Sequence, residues 1–448
     1  MVDSRKLKLM DLGAEALADA LLELAVQNER ADDLVERLIA VPKENVKRFK
    51  SKLAGLKRRQ RFVSWGESGE FARELQGLLQ DLQAGVEDPK AGVELVAAFY
   101  EADQGTLGHC DDSSGHVGDV FRFEAKELFV SYAVRCSDKE WLGDLVVKLL
   151  RTDDYGVRDV LVKCATAYLP ELVVRSLIKR FEAMAGQESE EFAKRHWLFL
   201  VESLARQVKD APLFEKTRLA AWGSLSTAAC IDIARVYLEC ADAQAALEWL
   251  GRISEAETIQ ANERDQLLLE IHSQLGNKEQ AAATAWRIFR RGRSTKALDR
   301  LLAVLGQDQR EAVLEGELTA IRGNSRLNEQ DAMFLVEIDQ ITEAESYLLD
   351  RAEQLNGDFY SSLLPLAETM ETEGRPLGAT IVYRALLDSI LRRGQTKTYA
   401  HGVRYLKKLD RLAKTIVDWR GFEDQSHYLA GLRQQHGRKS SFWSRYEG

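Results

Sequence analysis

Apolar residues recur along this chain every three or four positions, the period of an amphipathic helix, and almost nowhere at every second position. Leu12, Ala16, Leu17, Ala20 and Leu24 make a first stripe. Val46, Phe49, Leu53 and Leu56 make a second, on a helix that Pro42 opens from the first turn, where proline is tolerated. Ser68 is placed to cap a third helix that runs to about Ala84, before Gly85, Asp88 and Pro89 interrupt. Far along the chain Tyr399, Val403, Leu406 and Leu409 repeat the pattern, and a last helix is expected from Asp424 to Gln435. Beyond it Phe442 and Trp443 are expected to fold back over the final apolar face, the cap that an array of repeats requires.

The pattern also repeats at longer range. Asp111-Asp112-Ser113-Ser114-Gly115-His116-Val117-Gly118-Asp119-Val120 is echoed by Asp153-Asp154-Tyr155-Gly156-Val157-Arg158-Asp159-Val160, a spacing of 40 to 42 residues that matches HEAT or armadillo repeats. In each, an Asp is expected to cap the next helix while Gly takes the left-handed dihedral. A second motif, a small or polar turn followed by Ala at a close helix contact, occurs at Ala241 to Leu247, Gly276 to Ala282, Asp339 to Ala344 and Gly374 to Ala379. Two of the intervals are 35 residues, near the tetratricopeptide period, and a degenerate unit near Gly306 to Ala312 fills the middle gap. The fold expected is all-α, an α-solenoid of stacked antiparallel helix pairs. Its segments are an N-terminal helical stretch (1–88), HEAT-like repeats (89–210), tetratricopeptide-like repeats (211–394) and a basic C-terminal segment with its capping tail (395–448).

Composition sharpens this picture in three places. Only 6 prolines occur in 448 residues, with none between Pro212 and Pro365, so little interrupts a helix. No run of about 18 apolar residues exists to span a bilayer, and the first residues do not read as a signal peptide. The 5 cysteines are dispersed with no CxxC pair, the usage of buried thiols in a reducing compartment, so a cytoplasmic location is expected. The net charge of −9 argues against wholesale nucleic-acid binding, yet the cations are unevenly placed. Lys43 to Arg61 holds nine Lys or Arg against one acid, Glu44, and from Arg384 to Lys439 basic residues outnumber acidic ones more than two to one.

The two Asp–Gly turns, the stretch Tyr383-Arg384-Ala385-Leu386-Leu387-Asp388-Ser389-Ile390-Leu391 and the His436–Trp443 tail together resemble a family of bacterial all-helical proteins of unknown function, over roughly residues 90 to 448. The C-terminal end is also similar to that of some SWIM zinc-finger proteins. The zinc signature CxC…CxH is missing here, so the resemblance implies neither a zinc finger nor an activity.

Catalytic motifs are not found: no phosphate loop, no dinucleotide fingerprint, no HExxH and no GxSxG elbow. One cluster holds every common metal-ligand type, His109, Cys110, Asp112 and His116 together with Asp111 and Asp119. A calcium loop wants Gly at its sixth position with oxygen ligands before it, and counting back from Gly115 puts Cys110 first, so that register fails. A capped turn is the plainer reading, and no cofactor is expected. On the first basic segment Lys47, Lys50, Arg58 and Arg59 are candidates for a polyanion, with Phe62 or Trp65 available to stack a base. On the second, His401, Arg404, Lys408 and Arg411 recur three or four apart and form a candidate cationic strip. The function expected is non-catalytic binding of a protein or peptide partner on a concave solenoid surface. The rival readings are a nucleic-acid-associated protein using 43–61 and 384–439, and an enzyme or metal protein centred on 109–119.

Overall fold

The computed structural model describes residues 4–223, 225–254 and 256–448. Helix makes up 77% of the chain, and among the described residues the only β-type pairing is one isolated bridge between Val63 and Cys110. The protein is therefore all-α, built of helices that pack antiparallel against their neighbours in sequence. It divides into two compact units, one ending at Ile253 and one beginning at Ser254.

The first unit starts with helices Ser4–Met10, Ala14–Gln27 and Glu29–Ile39. The stripe read from Leu12 to Leu24 lies mostly in solvent; Ala14–Gln27 turns Leu17, Leu21 and Ala25 toward its neighbour and fully buries nothing. Next come Pro42–Arg58 and Trp65–Gly85, packed side by side. Ser64 rather than Ser68 caps the latter: the Ser64 hydroxyl and backbone N–H both donate to Glu67, while Ser68 is buried one turn in and donates to the Trp65 carbonyl. A Ser three residues before Glu is the stronger start signal, because each side chain satisfies the other's free backbone group.

The core of this unit runs through Phe49, Leu75, Phe99, Phe121, Phe129, Leu142, Leu161 and Phe181, each at most 1% exposed. At its centre lies Arg158, 2% exposed. Its guanidinium donates to both Asp103 oxygens at 2.6 and 2.7 Å and to the carbonyls of Leu149 and Tyr100 at 2.7 and 3.0 Å. A buried cation persists because its donors are satisfied in this way.

The two Asp–Gly turns share one geometry, with Asp112 matching Asp153. The Asp112 carboxylate accepts from the Val117 and Gly118 N–H groups, and that of Asp153 from the Arg158 N–H. Gly115 and Gly156, each three residues on, have φ of 77° and 65°.

The second motif is a turn of equally fixed geometry. Ala241, Gly276, Asp339 and Gly374 all sit at φ between 63° and 72°, and in each case the next N–H reaches back to the carbonyl five residues before it. This Schellman closure satisfies carbonyls left free at the helix end. A fifth copy sits at Lys209, φ 55°, with Asp210 N–H bonded to the Ala205 carbonyl. Gly306 departs from the set: its φ is 107° and it ends its helix by a bond from its own N–H to Leu302.

In the second unit Ala261–Leu275 pairs with Lys278–Arg291, Glu329–Glu337 with Ile341–Leu349, and Tyr360–Thr372 with Pro376–Arg393, and ionic contacts tie the first pair together and reach on to the helices that follow it. Asp265, fully buried, accepts from Arg287 and Arg291. Glu317 accepts from Arg290 and Arg293, and Arg293 continues to Asp331. Asp265 thus ties the first pair, while Glu317 and Asp331 tie its second helix and the loop after it to the helices that follow. The chain closes with Tyr399–Leu412, Gln425–His436 and Ser440–Glu447, where Phe442 is wholly buried against Tyr399 and Trp443 donates to the His436 carbonyl.

Candidate functional site

The helix Pro42–Arg58 buries Asn45, Phe49, Leu53 and Leu56. At about 100° per residue, Lys43, Lys47, Lys50 and Lys57 fall within about 40° of one line, about 120° round the helix from the centre of the buried face, with Arg58 at its margin. All five are exposed. None of the four lysines has a hydrogen-bonding or ionic partner among the described residues, and Arg58 reaches only the carbonyl of Ala54 in its own helix. The flanking cations behave differently. Arg48 and Lys52 turn toward Asp81, 0% exposed, where Arg37 also donates at 2.7 Å. Arg59 pairs with Glu74 at 2.9 Å and lies over the Phe71 ring, so of the four candidates on this segment it is the one committed internally.

Phe62 and Trp65 follow this helix and are 58% and 63% exposed. Val63, between them, is pinned: its N–H donates to the His109 carbonyl and its carbonyl accepts from the Asp111 N–H.

The residues from His109 to Asp119 serve that pinning and the turn beside it. His109 Nδ1 lies 2.9 Å from the Gly105 carbonyl, Cys110 is buried with its thiol pushed up by that burial, and Asp112 caps the helix that follows. His116 stands apart, lining a cleft of about 390 Å³ with Gly69, Arg73, Gln76, Asp119 and Phe123. Among the described residues no three His, Cys, Asp or Glu side chains come together as a metal site.

At the C-terminal strip, Lys408 donates to Glu371 at 2.8 Å and to the Tyr383 hydroxyl at 2.6 Å, and Arg411 also closes on Glu371. Burial alone would raise the Glu371 carboxyl, but hydrogen bonds from Lys408, Tyr383 and Arg411 outweigh it and hold the group below its ordinary value. Arg404 lies 2.8 Å from His401 Nδ1. Half of this strip is therefore spent on the protein itself.

Sequence reading missed one surface. On the helix Glu191–Gln207, Phe192 is 81% exposed and Phe199 44%, and the Arg195 guanidinium between them lies 5.0 Å from the Trp222 ring, itself 58% exposed. The signal was present: Phe192 and Phe199 sit about 180° and 160° round the helix from buried Val201, where polar residues belong.

No helix among the described residues is long and apolar enough to cross a membrane. No curated protein matches the sequence. Among solved structures the chain is similar to one described as Naa15/Naa10 bound to HypK-THB, at 12% identity and a TM-score of 0.32 over 81% of this chain. The match takes in 62% of that protein's length. It is also similar to a circular tandem repeat protein at 16% identity, with 96% of each chain covered and a TM-score of 0.14. A family model covers nearly the whole sequence, residues 5–218 and 223–445, and the chain accordingly belongs to that family, one of unknown function (DUF6880).

Proposed function

We propose that this protein is a non-catalytic helical-repeat scaffold that binds a protein or peptide partner. The observation that carries the reading is the exposed face of Phe192, Arg195, Phe199 and Trp222. Aromatic and arginine side chains dominate binding hot spots, because they bury much area for little conformational entropy. A monomeric surface seldom leaves such groups clustered in water unless something covers them. Conspicuous buried polar groups, by contrast, hold helices together, as at Arg158–Asp103 and Asp265.

The test is affinity capture from nuclease-treated lysate with the wild-type chain and with the double variant Phe192→Ala, Trp222→Ala, followed by mass spectrometry. A protein recovered by the wild type and lost from the variant is the expected result; removing a pair of hot-spot aromatics weakens binding by about thirtyfold or more. If the folded variant recovers the same proteins as the wild type, this face is not the docking surface.

A further inference from the structure

The lysine stripe on Pro42–Arg58 is an array of charge that the fold leaves unused, and it does not depend on the scaffold reading. From Lys43 to Arg58 it runs about 22 Å at 1.5 Å per residue, on a helix anchored by its buried face. Glu44 is the acid within this helix, and it is occupied as a cap, its carboxylate accepting from the Val41 N–H. Asp33, Glu36 and Asp81, the acids facing the helix from its neighbours, are taken up by Arg48 and Lys52 on its flanks. The stripe therefore presents net positive charge although the chain as a whole is acidic, and at about 0.1 M salt the remaining charges are screened beyond about 10 Å.

We propose that this stripe, with Phe62 and Trp65 beyond its C-terminal end, binds single-stranded nucleic acid through phosphates and stacked bases. Lysines without fixed partners suit phosphates, which need charge and little geometry. Exposed aromatics beside a cationic track suit unpaired bases, whose faces are available for stacking. The bonds of Val63 to His109 and Asp111 hold the intervening backbone in place, so little ordering is needed on binding. An anionic membrane fits less well, because the apolar side of this helix, Phe49, Leu53 and Leu56, is buried in the core and cannot enter lipid. Contacts to phosphates and to base faces carry no sequence information, so binding is independent of sequence.

The experiment is fluorescence anisotropy of a labelled oligothymidylate of about twenty nucleotides, enough to span the stripe, titrated with the full chain at several salt concentrations. A labelled polyglutamate peptide is titrated in parallel. The expected result is binding whose log–log salt slope is about −3, near −0.7 for each of four lysines. The variant K43Q/K47Q/K50Q/K57Q loses most of that slope and at least about tenfold in affinity at low salt, since each neutralised phosphate contact carries part of the electrostatic term. Single variants K47Q and K50Q each reduce the slope by about 0.7, which keeps the test intact should the quadruple variant fold poorly. Phe62→Ala with Trp65→Ala weakens binding about tenfold and leaves the slope unchanged, because stacking releases no counterions. Absence of binding at low salt, or unaltered binding by a folded quadruple variant, would overturn the proposal. Polyglutamate bound as tightly as the oligonucleotide, with no loss in the aromatic variant, would overturn it in favour of an acidic polypeptide.

Discussion

On the helix Pro42–Arg58, Lys43, Lys47, Lys50 and Lys57 stand in water, whereas on Tyr399–Leu412 the side chains of Lys408 and Arg411 close on Glu371. Both segments are basic, and both carry their cations at helical spacing. What separates them is the helix each one packs against. Tyr360–Thr372 presents Glu371, 19% exposed in its side chain, to the cationic flank of its neighbour. Trp65–Gly85 presents Asp81, but toward the flank that carries Arg48 and Lys52, so the lysine line on the far side meets no acid. A cation's role is thus set by the angular position of an acid on another helix.

The comparison breaks most severely at Asp81. Asp81→Ala removes the buried counter-charge that Arg37, Arg48 and Lys52 share, leaving Arg48 and Lys52 only the exposed Glu36 and Asp33. Removing one partner of a buried ion pair costs about 3–5 kcal/mol. Chemical denaturation of this variant is expected to shift the unfolding of the first unit by that amount. A loss below about 1 kcal/mol would mean that these cations are solvated like the lysines, and the two flanks of the helix would no longer differ.

Glu371→Leu is the matching change in the C-terminal segment, with a smaller effect because Lys408 and Arg411 can still reach solvent. A loss of about 1–3 kcal/mol is expected from the hydrogen bonds to a charged group, read as a lower midpoint for the second unit. Its pH dependence has a definite sign. The Glu371 carboxyl is held below its ordinary 4.5 in the folded chain. Its contribution is therefore complete above about 4.5 and is lost as the pH falls through the folded value. The gap between wild type and Glu371→Leu should narrow on acidification and stay constant from neutral pH down to that point. A gap that widened in acid would show that the carboxyl is raised, with burial outweighing its three partners.

These contrasts also mark what the sequence made legible. Helices, their spacing and the recurring turns follow from local rules, since a five-residue closure and a left-handed residue are encoded within one short stretch. Even there composition misled in two directions. Lysine is not a turn residue by type, yet Lys209 adopts φ 55°; glycine is, yet Gly306 ends its helix differently. The candidate sites were less legible, because pairing is decided between helices. Nothing near Arg59 in the sequence says that Glu74 and Phe71 will claim it, and nothing near Lys408 points to Glu371, 37 residues earlier. The reverse error concerns Phe192 and Phe199, whose periodicity was readable but whose face shows itself as a surface only with Trp222 beside it.

The smallest effect is the most informative about the lysine stripe. Lys47→Gln and Lys50→Gln remove exposed side chains with no internal partner, so stability should change by no more than about 0.5 kcal/mol. The sign is also foreseeable: neighbouring lysines at this spacing repel one another, and relieving that repulsion stabilises the helix by about 0.2–0.5 kcal/mol. Thermal melts at low salt are therefore expected to show a rise of a degree or so at most, disappearing as salt screens the lysines from each other. Lys408→Gln under the same conditions is expected to fall, since it forfeits the bonds to Glu371 and Tyr383. If both segments responded with the same sign, the division between solvated and committed cations would fail. With opposite signs, the stripe is a set of charges kept at a small cost to the fold, which is the energetic pattern of a surface retained for binding.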